Sequence, residues 1–541
     1  MKEYIRKNPA LAAVLAAGIF LFLAAAFLPA APVWITDVGN KYIVMRHFAE
    51  KGKVAVSHPE TALFPTGGFH FKKTETGVRS FYPEQFPVAV SYFYRLMGPA
   101  GVTFLPILCG ILLAGGAAHK FRSFSVGILT LLGTPCVFYS LQLWEMVPAV
   151  LAGFFGVMLL REKKFLTGGL VLGLGLFLRE ELYFLGASCG LVFLCQRQWK
   201  ALIRLLAGFL SGMLPVWLLQ WYLTGHVLGF HGSTYYLNNR SGFDLKNEIC
   251  GIFWNYYQHL FRFEVARELI VPVVLLLLLA LCRPTEKVQK TKLFVLAGSG
   301  ILFLLGALRF NGEASLCYAA ALSAGFISTL PLCWNFWCNW KQLLFSGRWQ
   351  NRFLTGVVIT YTLLVPPLLT RHDVGLFWGA RHFLFVMPFA VYLAVKALKY
   401  MPFGAWLWRG LVGISLFWQL CGLGALSQVS EESVELTDAV RRARTTVTAS
   451  DVFFLPEQAP ELFFDQEFYE VADPVQLDLF LDTLRRRKIR EFVFITSPRW
   501  ARLNNAARQK LAAQVRVLDT QNFVSRGSGF MDLVILKLYL K

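Results

Sequence analysis

The residue types best suited to chemistry in this chain are ionisable side chains that stand at the ends of apolar segments. They are Asp37, Glu145, Arg179, Glu180, Arg381 and His382. Ionisable groups at a membrane boundary are costly unless they are paired or hydrated, so such groups are functional candidates. A carboxylate can act as a general base toward a hydroxyl or amine, and an arginine can stabilise the charge that develops on a phosphate leaving group. The set is therefore suited to group transfer from a lipid-linked donor.

Each of these residues also has a purely structural interpretation. An acid near a helix start, such as Asp37 or Glu145, could cap the helix or be favoured by the helix dipole. Arg179 could form a structural ion pair with Glu180 or Glu181 in a tight turn. The Arg-His pair could simply anchor an apolar segment at the lipid headgroups. A functional interpretation is favoured because the whole set falls on one predicted side of a membrane.

The composition indicates that membrane-spanning helices position these residues. Of the 541 residues, 56% are hydrophobic and 16% are charged, and the mean hydropathy is +0.50. Soluble domains carry about 25% charged residues, and a disordered chain is far less apolar. The composition therefore excludes a soluble globule and a disordered chain, and predicts an α-helical polytopic membrane protein.

Thirteen apolar segments approach the roughly 20 residues that a helix needs to cross a bilayer. They lie at 10–32, 98–118, 123–141, 143–160, 165–178, 182–195, 201–223, 269–282, 293–308, 314–333, 353–369, 383–398 and 410–427. The first segment is longer than the apolar core of a signal peptide, so we expect it to be a retained helix. Thirteen spans would place the two ends of the chain on opposite sides of the membrane.

Basic residues indicate which side is which, because Lys and Arg are retained on the cytoplasmic side. The N-terminus and the alternate connections carry 21 basic and 3 acidic residues, whereas the other connections of the membrane part carry 16 and 14. The net charge of +20 is thus an effect of topology, and nucleic acid is excluded as a partner. The N-terminus is predicted to lie inside and the C-terminal part outside. No cysteine follows Cys421, so the outer C-terminal part cannot depend on disulfides.

The sequence predicts two domains. Residues 1–429 form the transmembrane domain, with a first outer loop at 35–97 whose start is typical of a helix at the membrane interface. Residues 430–541 form a small extracytoplasmic α/β domain. Its predicted strands and helices are Thr446–Phe454, Pro474–Arg487, Glu491–Thr496, Arg499–Ala513, Gln514–Asp519 and Met531–Leu538.

Four short motifs lie in the membrane part. They are Asp37-Val38-Gly39-Asn40-Lys41-Tyr42 followed by Arg46 to Gly52, Phe81-Tyr82-Pro83-Glu84-Gln85-Phe86-Pro87, Thr134 to Ser140 with Leu143-Trp144-Glu145, and Gly379-Ala380-Arg381-His382-Phe383-Leu384. Together they resemble the GT-C superfamily of membrane glycosyltransferases, particularly the glycosyltransferase-family-39-like protein O-mannosyltransferases and aminoarabinose lipid A transferases. The resemblance covers about residues 1–427. Val38 stands where many relatives carry a second acid, and Ala380-Arg381-His382 replaces Pro-Arg-Tyr.

The resemblance implies a GT-C-like fold and a role for each site residue. Asp37 would be the catalytic base or would position the acceptor, and Glu145 would be the second acid near the donor. Arg179, Arg381 and His382 would contact the lipid phosphate. The remaining substrate contacts would be Lys41, Tyr42, Arg46, Arg79, Tyr82 and Glu180. Some members of the superfamily use a divalent metal, but the sequence assigns neither a cofactor nor a metal ligand to this chain.

Taken together, these observations predict an inverting glycosyltransferase. It would move a sugar from a polyprenyl-phosphate donor to a lipid, glycan or protein acceptor on the outer face of the bacterial cytoplasmic (inner) membrane, among membrane lipids. Two alternatives remain: a polymerase or ligase for lipid-linked glycans, and a lipid or solute transporter. Transporters place ionisable residues near the bilayer midplane on repeated halves, whereas here these residues stand at the outer ends of the segments.

Overall fold

The computed structural model describes fourteen stretches of the chain. They are residues 2–28, 36–55, 71–74, 77–80, 83–224, 245–313, 325–368, 378–401, 404–443, 446–449, 468–471, 474–496, 505–523 and 533–541. The chain forms two compact units. The first, which we name the helical unit, comprises Met1–Ala26, Leu105–Ala314 and Ala319–Ala425. The second, the mixed unit, comprises Phe27–Phe104, Ser315–Tyr318 and Leu426–Lys541.

Most of the described residues are α-helical. In chain order the helices are α1 Lys2–Lys7, α2 Pro9–Ala26, α3 Thr36–Lys51, α4 Gln85–Met97, α5 Gly101–Phe121, α6 Phe124–Leu132, α7 Cys136–Ser140, α8 Met146–Arg161, α9 Phe165–Gly175, α10 Glu181–Cys195, α11 Trp199–Thr224, α12 Leu245–Tyr256, α13 Ile270–Leu281, α14 Glu286–Glu313, α15 Trp334–Ser346, α16 Trp349–Leu364, α17 Met387–Ala397, α18 Gly404–Ala443, α19 Pro474–Arg486 and α20 Asn505–Gln514. A π-helical turn occurs at Tyr257–Phe261, and 3-10 turns include Pro331–Cys333 and Arg381–Phe383.

Within the described residues, five helical stretches are long and apolar enough to cross a membrane. They are Pro9–Ala26, Gln85–Phe121, Trp199–Tyr222, Glu286–Arg309 and Gly404–Ala443. Three shorter helices, α8, α9 and α10, are also apolar. The predicted fold class, a helical polytopic membrane protein with a small C-terminal α/β fold, is confirmed.

One predicted span is divided in two. The segment predicted at 123–141 forms α6 and α7, which are separated at Gly133 to Pro135. Proline lacks the backbone N–H and clashes with the preceding turn, so it ends one helix and is tolerated at the start of the next. Pro135 accordingly occupies the N-cap position of α7.

One helix, α15, was not predicted from the sequence. The described part of the segment predicted at 314–333 is not α-helical, and α15 follows it where the sequence predicted an inner connection. Polar residues lower the hydropathy of this segment, so the hydropathy pattern did not indicate a helix here. Asn335 is buried, but its side-chain amide donates to the carbonyl of Ala394 at 2.8 Å, which satisfies the buried amide N–H.

Glycines let helices α9 and α11 pack with their backbones in contact. A Cβ atom on Gly208 would lie 2.0 Å from the carbonyl oxygen of Leu166. Similar atoms on Gly212, Gly169 and Gly173 would meet the facing backbone at 2.2 to 2.4 Å. Both helices thus carry glycines four residues apart, the pattern that permits close approach of helices in membranes.

The mixed unit contains a hairpin and a five-stranded sheet. Its strands are β1 Phe71–Thr74, β2 Gly77–Ser80, β3 Thr446–Ala449, β4 Phe468–Glu470, β5 Glu491–Thr496, β6 Val515–Phe523 and β7 Leu533–Leu540. The sheet has the order β4-β3-β5-β7-β6. Strand β3 is parallel to both of its neighbours, and β7 is antiparallel to both of its own.

Side chains of β5 point alternately to the two faces of the sheet, and each face is covered by a helix. Phe492 and Phe494 join the core formed with α19, whereas Val493 and Ile495 join the core formed with the last turns of α18. Two elements were not predicted. Strand β4 has three residues, too few to show alternation. The hairpin β1–β2 contains Lys72, Lys73 and Gly77, and strands normally avoid Lys and Gly or use Lys at edges.

Candidate functional site

One group of the predicted site residues lies where three helices of the helical unit begin or end. Glu145 immediately precedes α8, Arg179 lies in the turn between α9 and α10, and Glu181 is the first residue of α10. Helix α9 packs against both α8 and α10. Because short turns connect these three helices, the start of α8, the end of α9 and the start of α10 meet at one end of the bundle.

The guanidinium of Arg179 joins two carboxylates. Its Nη1 donates to Oε1 of Glu145 at 3.0 Å, and its Nε donates to Oε2 of Glu181 at 2.9 Å. Its Nη2 donates to Oε1 of Glu181, which makes the second interaction bidentate. The side chains of Glu145 and Glu181 are 1% and 7% exposed, so little water screens these charges. The planar, forked guanidinium suits such a bridge better than an ammonium group would.

His382 and Arg381 extend the cluster. Nδ1 of His382 lies 3.1 Å from Oε1 of Glu181, and Nε of Arg381 donates to Nε2 of His382 at 3.3 Å. A nitrogen that accepts from arginine carries no proton, so the proton of a neutral His382 is on Nδ1, where it donates to Glu181. The hydroxyl of Tyr361 donates to the backbone carbonyl of His382 at 2.8 Å and fixes its position.

A second histidine packs on the first. The ring of His259 meets the ring of His382 edge to face, with centroids 5.8 Å apart, and His259 is 2% exposed. His259 belongs to the π-helical turn Tyr257–Phe261, and its carbonyl accepts the backbone N–H of Phe326 at 2.8 Å. π-Helical turns are rare in proteins, and those that occur are often found at functional sites.

Two of the sequence motifs contact each other although they lie about 240 residues apart. The hydroxyl of Tyr139 donates to the carbonyl of Trp378 at 3.1 Å and accepts the backbone N–H of Trp378 at 3.2 Å. Gly379 has a φ of +63°, and a Cβ atom there would lie 2.6 Å from Cγ of Pro135. Glycine is therefore required at this turn, which leads directly into the Arg-His pair.

Gln142 is a buried polar residue three positions before Glu145. Its side chain is 0% exposed, and neither its amide oxygen nor its amide nitrogen has a hydrogen-bond partner among the residues that the structure describes. Burying an unsatisfied amide costs about 1–3 kcal/mol. Such a group needs an explanation, and contact with a substrate is one.

Most of the first-loop candidates lie on helix α3 of the mixed unit. Asp37 is half-buried in the first turn, where the helix dipole favours an acid. Lys41 follows on the same face, and both Lys41 and Tyr42 are buried. Arg46 donates to Oε1 of Glu50 at 2.7 Å, an ion pair one turn further along.

The hairpin of the first loop is attached to α3 and to α4. Ser80 donates to Oδ1 of Asn40 at 2.6 Å, and Arg79 donates through Nε and Nη2 to Glu84 at 3.2 and 2.5 Å. Burial raises the pKa of the Glu84 carboxyl above its ordinary value, and the Arg79 guanidinium offsets part of that increase. Tyr82 lies outside the described residues.

The structure thus brings Glu145, Arg179, Arg381 and His382 into one cluster. Glu180 is half-buried at the N-cap position of α10, directly beside it. Sequence analysis did not select four residues that belong to the cluster or its surroundings, namely Glu181, Gln142, His259 and Tyr361. Glu180 and Glu181 are adjacent acids, and the sequence contains no feature that distinguishes which of them turns toward Arg179.

In the part of the chain that the structure describes, no group of three or more His, Cys, Asp and Glu side chains is arranged to hold a metal ion. Where Glu145 and Glu181 come together, the guanidinium of Arg179 occupies the position between them.

This arrangement of helices, with a small sheet near the C-terminus, is a polytopic membrane fold that also occurs in a solved structure. The same fold is seen in the crystal structure of ArnT from Cupriavidus metallidurans in the apo state, which superposes with a TM-score of 0.52. The sequences are 11% identical, and the match covers 97% of each chain. The structure of the same protein bound to undecaprenyl phosphate matches with a TM-score of 0.46, at the same identity and coverage.

No family model and no curated protein sequence matches this chain. The resemblance that the sequence motifs predicted is thus confirmed in the fold.

Proposed function

We propose that the protein is an inverting glycosyltransferase. It takes a sugar from a polyprenyl-phosphate donor and transfers it to a lipid, glycan or protein acceptor on the outer face of the bacterial inner membrane. The fold it shares with ArnT, an aminoarabinose lipid A transferase, supports this class of reaction. The charge pattern of the connections supports an N-terminus inside and a C-terminal domain outside.

The observation that carries the proposal is the buried cluster of Glu145, Arg179, Glu181, Arg381 and His382. Buried charges are costly, and they occur where chemistry requires them or where they are fully paired. In our proposal Arg179 mainly holds the two carboxylates in place. Arg381, half-buried beside His382, binds the phosphate oxygens of the donor, which a guanidinium can do in bidentate fashion.

The proposed step is a single displacement at the anomeric carbon. The acceptor oxygen attacks this carbon while its bond to the donor phosphate oxygen breaks, and the electron pair of that bond leaves with polyprenyl phosphate. The hydroxyl proton passes to a carboxylate, for which we propose Asp37, with Glu145 as the second acid near the donor. The remaining substrate contacts are proposed for Lys41, Tyr42, Arg46, Arg79, Tyr82, Arg179 and Glu180.

Release of polyprenyl phosphate tests this proposal. Purified protein in nanodiscs would be given radiolabelled polyprenyl-phosphate sugars and a crude envelope extract as the acceptor source. We expect the wild type to release polyprenyl phosphate, and Asp37→Asn to reduce the rate by roughly 100-fold or more, since general-base catalysis contributes about 10²–10⁴-fold. Arg381→Gln should also be strongly impaired.

An exposed acid provides the matched control. Asp482 lies on the surface of α19, where it pairs with Arg485, and Asp482→Asn should retain the wild-type rate. If Asp37→Asn is as active as the wild type, Asp37 is not the base and Glu145→Gln becomes the next variant. If the folded wild type releases no polyprenyl phosphate from any donor in the panel, the proposed reaction is wrong.

A further inference from the structure

A basic groove lies at the other ends of the helices that carry the candidate site. It has a volume of about 1030 Å³ and is lined by the exposed cations Lys163, Arg197, Lys200 and Arg348. Lys163 follows α8 and Arg197 follows α10, whereas the candidate site lies where these two helices begin. Sixteen residues of α8 span about 24 Å, roughly the thickness of the apolar part of a bilayer.

The positive charge of this groove is not neutralised by the described residues that line it, because none of them is acidic. The nearest acid in sequence, Glu162, accepts a hydrogen bond from Lys120 at 2.6 Å, and this bond is the main reason that its pKa is lowered. Lys163 and Arg197 stand at helix C-termini, where the helix dipole favours cations.

That explanation does not extend to the other two cations of the groove. Lys200 lies in the first turn of α11 and Arg348 at the N-cap of α16, where the dipole disfavours positive charge. Neither of these helices has an acid in its first turn. An external anion would remove this unfavourable concentration of positive charge.

Aromatic side chains share the groove with the cations. Trp199, Trp349 and Phe165 line it, and Trp199 is 57% exposed. Tryptophan is enriched at the level of the lipid headgroups, where its apolar ring and polar N–H both find suitable surroundings. The groove therefore has the character of the membrane interface rather than of the aqueous phase.

An exposed apolar stripe leads away from the groove along α11. Trp199, Ile203, Leu206 and Leu210 follow one another at helical spacing on one face, and each is about half-exposed or more. The cationic side chains of the groove could bind an anion of any kind. The adjoining apolar stripe can contact acyl chains, so it favours an anion that carries them. A free phosphate or an acidic peptide would leave the stripe unused.

We propose that this groove binds the headgroup of an anionic phospholipid of the cytoplasmic leaflet. The lipid phosphate lies among Lys163, Arg197, Lys200 and Arg348, and the acyl chains follow the apolar stripe of α11. The proposal uses the predicted topology, in which these basic turns face the cytoplasm. It does not depend on the sugar-transfer reaction, since the groove and the candidate site lie at opposite helix ends.

Titration of the purified, detergent-solubilised protein with defined lipids tests the proposal. Phosphatidylglycerol should raise the unfolding temperature and remain bound in native mass spectra, whereas phosphatidylcholine and inorganic phosphate should do neither. The variant Lys200→Gln/Arg348→Gln should bind phosphatidylglycerol roughly 10- to 30-fold more weakly, since each cation near an anionic headgroup contributes about 1 kcal/mol.

Two exposed lysines elsewhere on the same predicted side provide the matched control. Lys287→Gln/Lys290→Gln in the first turns of α14 removes the same charge and should leave phosphatidylglycerol affinity unchanged. Equal weakening by both double variants would show that only overall charge matters and would overturn the site. An equal stabilisation by inorganic phosphate would contradict the proposal that the ligand is a lipid and would indicate a simple anion site.

Discussion

Arg179 shows how a single residue can make a buried acidic site stable. Two carboxylates brought together away from water disfavour each other's ionised form. The guanidinium that hydrogen-bonds to Glu145 and to Glu181 offsets this repulsion and satisfies three of the carboxylate oxygens. The network is therefore sensitive to loss of its cation and much less sensitive to loss of all its charges together.

Arg179→Met should lower the free energy of unfolding by about 3–5 kcal/mol, because it leaves two buried carboxylates without their cation. The triple variant Arg179→Met/Glu145→Gln/Glu181→Gln should recover most of that loss, since no buried charge then lacks a partner. Thermal unfolding of the purified protein in detergent measures both. A triple variant as unstable as the single one would contradict this account.

The control is an ion pair of the same chemistry on the surface. Arg485 pairs with Asp482 at 2.8 Å, with both side chains about half-exposed. Exposed pairs contribute about 0–1 kcal/mol, so Arg485→Met should change stability little. A large loss in this variant would mean that the assay reports general damage and not the buried network.

The sequence predicted the members of this cluster better than their contacts. Glu145, Arg179, Arg381 and His382 could be found because charged residues at the ends of apolar segments are rare and costly. A pair between Arg179 and Glu180 or Glu181 was one of the structural interpretations. The contacts with Glu145 and His382 could not be predicted, because they join positions 34 and 201 residues apart. Gln142 was not predicted, because a single amide within an apolar run has no distinctive sequence pattern.

At the scale of elements, the contact between α9 and α11 depends on glycines, which have no side chain. Glycine removes the Cβ atoms that would otherwise hold the two backbones apart. In an apolar environment, burial of apolar surface contributes little to the association of helices. Close packing of this kind therefore has to stabilise the contact. The chain accordingly places glycines on both facing surfaces.

Gly208→Ala should separate these two helices, because the new Cβ would lie 2.0 Å from the carbonyl oxygen of Leu166. We expect a lower unfolding temperature and faster amide hydrogen exchange in α9. Gly410→Ala in α18 is the matched control, since nothing lies within 4 Å of its Cβ position. The control should be neutral or stabilising by up to about 1 kcal/mol, and equal destabilisation by both would contradict the packing argument.

Most elements could be predicted from periodicity and composition. Helices α8, α10 and α11 and strand β5 begin or end within a few residues of their predicted positions. Prediction failed where tertiary contacts replace local pattern. Helix α15 buries Asn335, whose amide donates to the carbonyl of Ala394 in α17, and the proline that divides α6 from α7 acts within an otherwise continuous apolar run.

At the scale of the whole molecule, the distribution of charge predicts a fixed orientation in the membrane. The basic turns on one side and the C-terminal domain on the other follow from 21 basic residues against 3 acidic ones in the predicted inner connections. Chemical labelling can test this orientation directly.

Single cysteines introduced into a cysteine-free variant should report opposite sides. Val475→Cys on α19, 76% exposed, should react with a membrane-impermeant maleimide in intact cells. Lys287→Cys, exposed in the first turn of α14, should react only after the cells are disrupted. The reverse pattern, or labelling of both in intact cells, would contradict the predicted orientation.

The separation in sequence between the parts of the cluster has a consequence for biosynthesis. Glu145, Arg179 and Glu181 leave the ribosome close together, and their ion network can form as soon as α8, α9 and α10 are inserted. His382 follows 201 residues after Glu181, a delay of roughly 10–40 s at about 5–20 residues per second. The nascent chain therefore holds a paired but incomplete cluster for more than a third of its synthesis. Arg179, which can hydrogen-bond to both acids from the start, stabilises the cluster during this interval.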